Sequence, residues 1–523
     1  MKRILILFLS VLALTLLLLC SCNNSSQTST SNQNPETTIE STESSSKKPR
    51  DRKESSKEST KESTEVETTE SESTPEETTT EESIDIYADR NVYEPKTVAN
   101  DDGTNTLYYL TYELNEPAFL PYYHNYQAAI SFTFDDGYDT GTGVFVTDVF
   151  KTYDFRGTAM LGPCFLDDSK NEVWRQVFAQ GYLDAGCHGY NHLNPVGLDP
   201  SKYEHEIKDA QDYLRAAFPG QNVLAFATPL AHIDNSYESY LKQYFLSDRL
   251  EADGSLVALG TDFNMMRIKS YSFNKGQNGA QIGSVKTNLD NAVAKGKWAT
   301  VLCHCVLDNP SNSTDVSKTD FLELCRYLYN TYYGKVWFCS FEEATIYQYQ
   351  LMNAKINYTA CDNESMTFTV TCDLDENIYN IPMSATIYVP SFVSTAYAVI
   401  DGVEQDLEVT KILGKKAVNV VDIPVNGSEV KIYLGENSNI DNDCDHDLVT
   451  LETVEPTCHS HGYTVKGCRV CNFTYKVRYT RMSDHDFTGK VTEVTEATAA
   501  IPGLDLIQCK NCTAQKRELY TFN

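Results

Sequence analysis

The segment Ala128-Ala129-Ile130-Ser131-Phe132-Thr133-Phe134-Asp135-Asp136-Gly137 decides the fold of the central part of this 523-residue chain. Ala128 to Phe134 is an apolar run of the length of a buried strand, and two carboxylates and a glycine follow it. Neighbouring side chains at a strand end point in different directions, so one carboxylate can bind a metal while the other stays free as a base. Taken alone, Asp-Asp-Gly is equally compatible with an ordinary turn.

Short strand-like runs alternate with helix-like runs from about residue 127 to residue 355. Repeated strand–helix units predict a parallel sheet, and this series is long enough to close into a distorted (β/α) barrel of about seven strands, an α/β fold over residues 125–355. In such barrels the chemistry lies where strands end and loops begin. The predicted elements include the strands Thr158 to Leu161, Leu183 to Cys187, Val223 to Ala227 and Trp298 to Cys303, and the helices Lys202 to Phe218, Ile282 to Ala294, Phe321 to Tyr332 and Phe341 to Asn353.

Histidines follow two further predicted strands. His188-Gly189-Tyr190-Asn191-His192 comes directly after the strand ending at Cys187, and imidazoles four residues apart lie at a separation that one ion can bridge. His304 ends the run Leu302-Cys303-His304, again at a strand end. A lone histidine pair is often coincidental, but these groups share one predicted barrel edge with Asp135 and Asp136. Their placement therefore predicts a common site.

These segments resemble the motifs of the polysaccharide deacetylases of the NodB-homology type, carbohydrate esterase family four. The family pattern is Thr-Phe-Asp-Asp-Gly, then His-Ser/Thr-x-x-His, then Leu-x-His, and all three occur here in that order within residues 125–355. The resemblance implies removal of acetyl groups from a carbohydrate, with Asp135 as general base and His304 as general acid. It implies Asp136, His188 and His192 as metal ligands. Gly189 departs from the pattern, which has Ser or Thr there.

The chemistry can also be argued from the residue types. One carboxylate and two neutral imidazoles leave coordination positions open on a divalent ion, which is typical of a hydrolytic site; Zn²⁺ is the first expectation, with Co²⁺, Ni²⁺ or Mn²⁺ as alternatives. Asp135 would accept a proton from the attacking water, and His304 would protonate the leaving amine. The backbone N–H of Tyr138 is a candidate for holding the oxyanion.

The third family motif is altered in this chain. Many relatives carry Arg-Pro-Pro there, and the arginine orients the base, whereas this sequence reads Phe226-Ala227-Thr228-Pro229-Leu230. Arg267, at the start of a predicted strand, is the candidate replacement, and Asp262 is the candidate carboxylate that supports the acid histidine. For both residues, an ordinary polar position beside a strand is an equally open interpretation.

The sequence changes character after residue 355. Short strand-like runs separated by Asp, Asn, Gly and Pro predict a small all-β sandwich over residues 356–437. Residues 440–523 contain two similar units, because Gly462, Cys468 and Cys471 recur as Gly503, Cys509 and Cys512, and His446-Asp447 recurs as His485-Asp486. These units could hold structural Zn together with His446 and His485, could form disulfides, or could serve as a spacer that adheres to the cell wall. Cys444 and Cys458 would complete a set of four ligands in the first unit, whereas the second has Ala499 where Cys458 stands.

The N-terminal residues predict export and anchoring. Met1-Lys2-Arg3 precedes an apolar run, as in a secretory signal peptide, and Leu19-Cys20-Ser21-Cys22 resembles a bacterial lipobox with Cys22 as the lipidated residue, so residues 1–22 are a predicted lipoprotein signal. Residues 23–85 are rich in Ser, Thr and Glu and poor in apolar side chains, which predicts a disordered linker. Its reach would be about 40–45 Å. Plain secretion with two unmodified cysteines is the alternative.

The net charge and the predicted location of the protein indicate which classes of partner it binds. The formal net charge of −30 argues against a nucleic-acid partner. A protein anchored to the cell membrane through Cys22 and facing the extracellular side suits an N-acetylglucosamine-type cell-wall or surface glycan. An O-acetylated polymer such as xylan is the alternative substrate. A glycan-binding surface protein with a weakened deacetylase domain is the alternative of another class.

The lipobox prediction separates two neighbouring cysteines. Replacing Cys22 by Ala should release the protein from the membrane fraction, because a diacylglyceryl cysteine carries two acyl chains, enough for stable anchoring. Replacing Cys20 by Ala is the matched control and should leave the protein in the membrane fraction. Equal release by both substitutions, or by neither, would contradict the assignment.

Overall fold

The computed structural model describes residues 98–99, 105–106, 118–251, 256–275, 282–361, 365–389, 393–412, 414–435, 444–471 and 474–522. All of them belong to one compact unit, residues 80–523. The predicted signal, the Cys22 anchor and the linker over residues 23–85 lie outside the described residues. Among the residues described, the helices are all too short or too polar to cross a bilayer.

Seven parallel strands close into a barrel, which confirms the predicted fold class. Each strand pairs with the next one along the chain, and the seventh pairs with the first, from Trp298 beside Ala129 to Cys303 beside Phe134. The first and last motifs therefore lie on adjacent strands. The strands are β1 (Ala129–Asp136), β2 (Gly157–Leu161), β3 (Leu183–Cys187), β4 (Ala225–Ala227), β5 (Ser247–Glu251), β6 (Ile268–Ser272) and β7 (Trp298–Cys303).

Helices connect these strands and cover the barrel. They are α1 (Thr140–Tyr153), α2 (Asp168–Phe178), α3 (Ala210–Ala217), α4 (Asn235–Leu241), α5 (Ile282–Ala294), α6 (Lys318–Tyr332) and α7 (Phe341–Asn353), and a π-helical segment, Glu204–Asp209, leads into α3. Phe132 of β1 packs against Phe150 of α1 and Phe321 of α6, with ring centroids 5.5 and 5.9 Å away. The sequence pattern did not predict α4 or β5.

An antiparallel β-sandwich follows the barrel. One sheet has the strand order 354–361, 365–372, 426–434, 396–400, 403–407, and the other has the order 410–412, 415–423, 383–388, 118–119. Phe368 and Ile432 of the first sheet and Ile387 and Val420 of the second are fully buried in one cluster. The sandwich thus also includes the strand Ala118–Phe119, which precedes the barrel in sequence.

The sandwich and the barrel domain share this buried cluster. Trp298, Phe341 and Tyr347 of the barrel domain are buried in it together with the sandwich side chains. The buried side chain of Gln350 in α7 also forms a reciprocal pair with the backbone of Ile381, at 2.8 and 3.1 Å. A boundary at residue 355 therefore crosses a continuous core.

Two three-stranded antiparallel sheets form the C-terminal tail. The first tail sheet comprises residues 448–454, 462–468 and 474–480, and the second comprises residues 491–495, 503–508 and 515–520. His461 joins the first sheet to the sandwich through Glu404 and Asp406, at 2.8 and 2.6 Å. In the second sheet, Arg517 donates to the carbonyls of Lys151 and Thr152 at the end of α1, at 2.8 and 3.1 Å.

Because the barrel and the sandwich share a core, removing the sandwich should lower the stability of the barrel. A chain ended at Lys355 should unfold at a lower temperature than the full protein and should aggregate, because exposing each large apolar side chain of the shared cluster costs about 1.5–3 kcal/mol. A chain ended at Gly435 keeps the sandwich and should lose much less stability. Thermal unfolding and size-exclusion chromatography measure both. A monomeric protein ending at Lys355 with the midpoint of the full chain would show that the barrel does not need the sandwich.

Candidate active site

All five residues of the sequence-predicted site lie at the carboxyl end of the barrel strands. Asp135 and Asp136 end β1, His188 and His192 lie in the segment after β3, and His304 directly follows β7. The segment after β7 is tied to α1, since the backbone N–H of Val306 donates to the Thr142 hydroxyl at 2.9 Å. Parallel strand order thus gathers residues from three distant parts of the sequence.

Asp136, His188 and His192 converge as a set of metal ligands would. Asp136 Oδ1 is 3.7 Å from His188 Nε2 and 3.6 Å from His192 Nε2, and the three ligand atoms lie within 4.8 Å of one another. These separations are too long for hydrogen bonds. A tetrahedral ion with bonds of about 2.0–2.1 Å would hold such atoms about 3.3 Å apart. The two Asp136–histidine distances therefore fit a shared divalent ion after shifts of a few tenths of an ångström.

A backbone carbonyl fixes the orientation of His188. Its Nδ1 lies 2.8 Å from the carbonyl oxygen of Ala227, and because a carbonyl only accepts, Nδ1 carries the hydrogen. Nε2 then presents its lone pair toward Asp136. Burial lowers the pKa of His188 to about 4, which keeps the imidazole neutral, as a metal ligand must be.

Glu206 holds the segment that carries both histidines, and the sequence analysis missed it. Its carboxylate accepts from the backbone N–H and the side-chain amide of Asn191, at 3.0 and 2.8 Å, and its carbonyl accepts from Tyr190 N at 3.2 Å. Glu206 is buried on the π-helical segment Glu204–Asp209. π-Helical turns are frequent at functional sites.

Gly189, which departs from the family pattern, has a conformational reason to be glycine. Its φ is +72°, in the left-handed region that side chains other than glycine rarely adopt. A Cβ there would also lie 3.3 Å from a carboxylate oxygen of Glu206. Glycine at this position is therefore compatible with intact ligands on either side.

The chain turns sharply where β1 ends. Asp136 has φ +74° and Gly137 has φ +83°, and a Cβ on Gly137 would lie 2.3 Å from Leu161 Cδ2. The carbonyl of Asp136 accepts from Gly162 N at 3.1 Å, which pins the strand end to β2. A non-glycine residue with positive φ stores strain, and such residues cluster at functional sites.

Arg249 provides the guanidinium that contacts Asp135. It lies on β5, is 1% exposed, and donates through Nη2 to both carboxylate oxygens of Asp135. Burial by itself would raise the pKa of Asp135, but the charge of Arg249, with His188 and His304, holds that pKa below its usual value. Asp135 is therefore an ionised carboxylate, as a general base requires.

The prediction that Arg267 replaces the third-motif arginine is wrong. Its guanidinium bonds to Glu238 and Asn235, at 2.6 and 3.0 Å, on the partly exposed surface of α4. Asp262 is exposed. Within the described residues, the buried Nδ1 of His304 has no hydrogen-bond partner. Arg249 was not predicted, because β5 lacks the apolar run by which the other barrel strands were recognised.

Comparison with known proteins agrees with the motifs. Residues 124–246 match the sequence model of the family described as polysaccharide deacetylase. Over 319 residues the chain is 23% identical to a gellan lyase of a Bacillus species; the match spans 57% of this chain but only 12% of that enzyme.

Solved structures of low sequence identity also align with part of this chain. A peptidoglycan deacetylase of Bacillus subtilis is 15% identical over 43% of this chain and 93% of its own, with a TM-score of 0.28. The Xyl-CE4 domain of a multidomain xylanase, from the hindgut metagenome of Trinervitermes trinervoides, is 19% identical over 42% of this chain and 89% of its own, with a TM-score of 0.29. At such TM-scores the likeness carries no argument, so the fold assignment rests on the strand order.

Removing the Arg249 charge should shift the pH dependence of activity. Arg249 favours the ionised form of Asp135, so in Arg249→Gln the pKa of Asp135 should rise and the acidic limb of kcat/KM should move to higher pH. Activity at neutral pH should fall by about 10²-fold or more. Arg249→Lys keeps the charge but not the planar donor, so its activity should lie between those of the unmodified protein and Arg249→Gln.

Arg267→Gln is the matched control, because it removes an equal charge from a partly exposed site. Its pH profile should coincide with that of the unmodified protein. Thermal unfolding of each variant separates loss of folding from loss of base ionisation, since removing one partner of a buried ion pair is destabilising. An unchanged acidic limb in folded Arg249→Gln would contradict the role assigned to Arg249.

Proposed function

We propose that this protein is a metal-dependent carbohydrate deacetylase that removes acetyl groups from an N-acetylglucosamine-type cell-wall or surface glycan. The observation that carries the proposal is the ionised, arginine-paired Asp135 beside the convergent set of Asp136, His188 and His192. The family match over residues 124–246 supports the same reaction class. The overall change is hydrolysis of an acetamide to acetate and a free amine.

The two aspartates divide the work in this proposal. Asp136, with His188 and His192, would hold a divalent ion, with Zn²⁺ first and Co²⁺, Ni²⁺ or Mn²⁺ as alternatives. When bound, such an ion supplies Lewis acidity toward an acyl oxygen and makes nearby water easier to deprotonate. Asp135 lies against Arg249 and would accept the proton that the attacking water releases.

His304 would act on the leaving group. It follows β7, adjacent to β1, and in its protonated form it would favour the ionised forms of both Asp135 and Asp136. An amine leaves only after its nitrogen is protonated, so His304 would donate a proton there. A sugar alkoxide is a better leaving group, so loss of His304 should impair amide cleavage more than ester cleavage.

Aromatic side chains lie next to the histidines and suit a carbohydrate. The Phe165 ring lies 5.7 Å from that of His192 and packs edge-to-face with Tyr138, at 6.1 Å. Tyr138 is 38% exposed. An exposed aromatic ring offers an apolar face against which a sugar ring can pack.

The alternative of a weakened, glycan-binding domain rested on the missing third-motif arginine. Arg249, on β5, contacts Asp135 as that arginine would be expected to do. This observation favours an active enzyme. Acetate release from xylan, compared with that from chitooligosaccharides, distinguishes the alternative O-acetyl esterase activity.

The proposal places the enzyme outside the cell. It includes lipid anchoring at Cys22 to the cell membrane and a polar linker that lets the catalytic unit reach polymeric glycan. An extracellular glycan suits this location, and the net charge of −30 disfavours nucleic acid as a partner.

Substituting the two aspartates one at a time tests the division of roles. Asp136→Asn should lose bound metal and acetate release together, whereas Asp135→Asn should keep the metal and lose at least about 10²-fold in turnover. Metal content is measured by elemental analysis, and activity by acetate release from chitooligosaccharides and from acetylated xylan.

His304→Ala should behave like Asp135→Asn in metal content, since His304 is not assigned to the ion. Near-normal turnover by Asp135→Asn would show that another group is the base. Release of acetate from xylan alone would replace the N-acetyl substrate by the O-acetyl one.

A further inference from the structure

The tail cysteines and histidines fall into two groups of identical composition. We call them the first and second tail sites, and in each the ligand atoms lie within 4.8 Å of one another. The first tail site comprises Cys444, His446, Cys468 and Cys471, and the second comprises Cys458, His485, Cys509 and Cys512.

The spacing within each group is that of a tetrahedral ion site. Such a zinc ion, with Zn–S bonds of about 2.3 Å and Zn–N bonds of about 2.0–2.1 Å, holds two sulfurs about 3.8 Å apart and a sulfur and a nitrogen about 3.6 Å apart. The Cys444 and Cys468 sulfurs are 3.8 Å apart, and Cys471 Sγ is 3.4 Å from His446 Nδ1.

The second tail site repeats this geometry. The sulfurs of Cys458 and Cys509 are 3.9 Å apart, and Cys512 Sγ is 3.3 Å from His485 Nδ1. A disulfide needs sulfurs about 2.05 Å apart, and three cysteines in a group would leave one of them unpaired. The geometry therefore favours coordination over disulfide pairing.

The backbone around both sites is arranged in the same way. Each Cys-x-x-Cys pair begins where the second strand of its sheet ends: Cys468 is the last residue of one such strand, and Cys509 directly follows the other. The N–H of Val470 points to Cys468 Sγ at 3.3 Å, and that of Asn511 points to Cys509 Sγ at 3.5 Å. N–H donors directed at a sulfur stabilise its thiolate form, which is the form that binds metal.

The fourth ligand is a cysteine in both sites but comes from a different part of the chain in each, which corrects the expectation from the sequence. Cys444 and Cys458 were expected to belong to one set, but Cys458 lies in the second tail site, although it belongs to the first tail sheet by sequence. Where the first unit has Cys444, two residues before its histidine, the second has Ser483. The N–H of Ser483 donates to the carbonyl of Thr457 at 2.9 Å, next to Cys458. The first sheet thus supplies the ligand that the second sequence unit lacks.

We propose that the tail binds two structural zinc ions, one at each tail site, and that Cys458 links the two tail sheets by coordinating the second ion. This inference does not rest on the proposed deacetylase activity, since the tail sites share no residue with the candidate active site.

The small size of the tail core explains why ions would be needed. Sheets this small bury too little apolar surface to fold by packing alone, and structural metal then contributes the missing folding free energy. Among the described residues of 444–522, half of the buried apolar side chains are cysteines of the tail sites. These buried side chains are Cys458, Cys468, Tyr479, Ala497, Leu504 and Cys509.

Zinc content of the full-length protein and its variants tests the proposal. Cys444→Ser and Cys458→Ser should each lose one equivalent of zinc relative to the unmodified protein, and the double variant should lose two. Cys372→Ser is the matched control, because Cys372 is a partly buried cysteine of the sandwich outside both groups, and it should lose none. Differences between variants cancel any ion at the active site.

The assignment of Cys458 to the second tail site is tested by combining substitutions. If Cys458 and His485 bind the same ion, Cys458→Ser/His485→Ala should lose one equivalent, the same as either single variant. A loss of two equivalents would place Cys458 in the first site and overturn the link between the sheets.

Cobalt substitution identifies the ligands directly. Thiolate-bound Co²⁺ gives intense charge-transfer absorption, which an Asp-His-His site does not, so the unmodified protein should show it and Cys444→Ser/Cys458→Ser should lose most of it. Absence of this absorption in protein with reduced cysteines would overturn the zinc proposal. Retained acetate release in such protein would leave the proposed enzymatic function intact.

Discussion

The guanidinium of Arg249 against the carboxylate of Asp135 is the interaction on which the candidate site depends. A carboxylate buried as deeply as Asp135 would otherwise take up a proton, and a protonated Asp135 could not act as a base. Because Arg249 is itself 1% exposed, its side chain has little freedom to leave. The barrel supplies both the burial and the compensating charge, from strands that are not neighbours in the sheet.

Much of the site was predictable because its motifs follow apolar strands. Each of the segments that carry Asp135, His188 and His304 follows a run with the length and composition of a buried strand, so both the strand and its functional end were visible in the sequence. Arg249 was not visible for the opposite reason. Its strand contains Ser247, Asp248 and Arg249, all buried, and such a pattern is not typical of a core strand. Glu206 could not be recognised either, because in the sequence it is one of several acidic residues in a helical segment.

Domain boundaries were less predictable than strands. The composition change near residue 355 marks where the barrel's last helix ends, but it carries no information on what packs against that helix. Tyr347 and Gln350 read as ordinary positions of an amphipathic helix, yet they face the sandwich. The strand Ala118–Phe119 could not have been assigned to the sandwich either, because its partner lies more than 260 residues later in the sequence.

Under the proposed coordination, the grouping of the tail ligands also implies an order of assembly along the chain. The first tail site is complete once Cys471 is available, while the second spans Cys458 to Cys512 and needs nearly the whole polypeptide. Because the chain is synthesised from its N-terminus, the first site can form before the other ligands of the second site are available to Cys458. If the proposed ions bind in this order, Cys458 stays a free thiol during that interval, and thiol oxidation at that stage would affect the second site rather than the first.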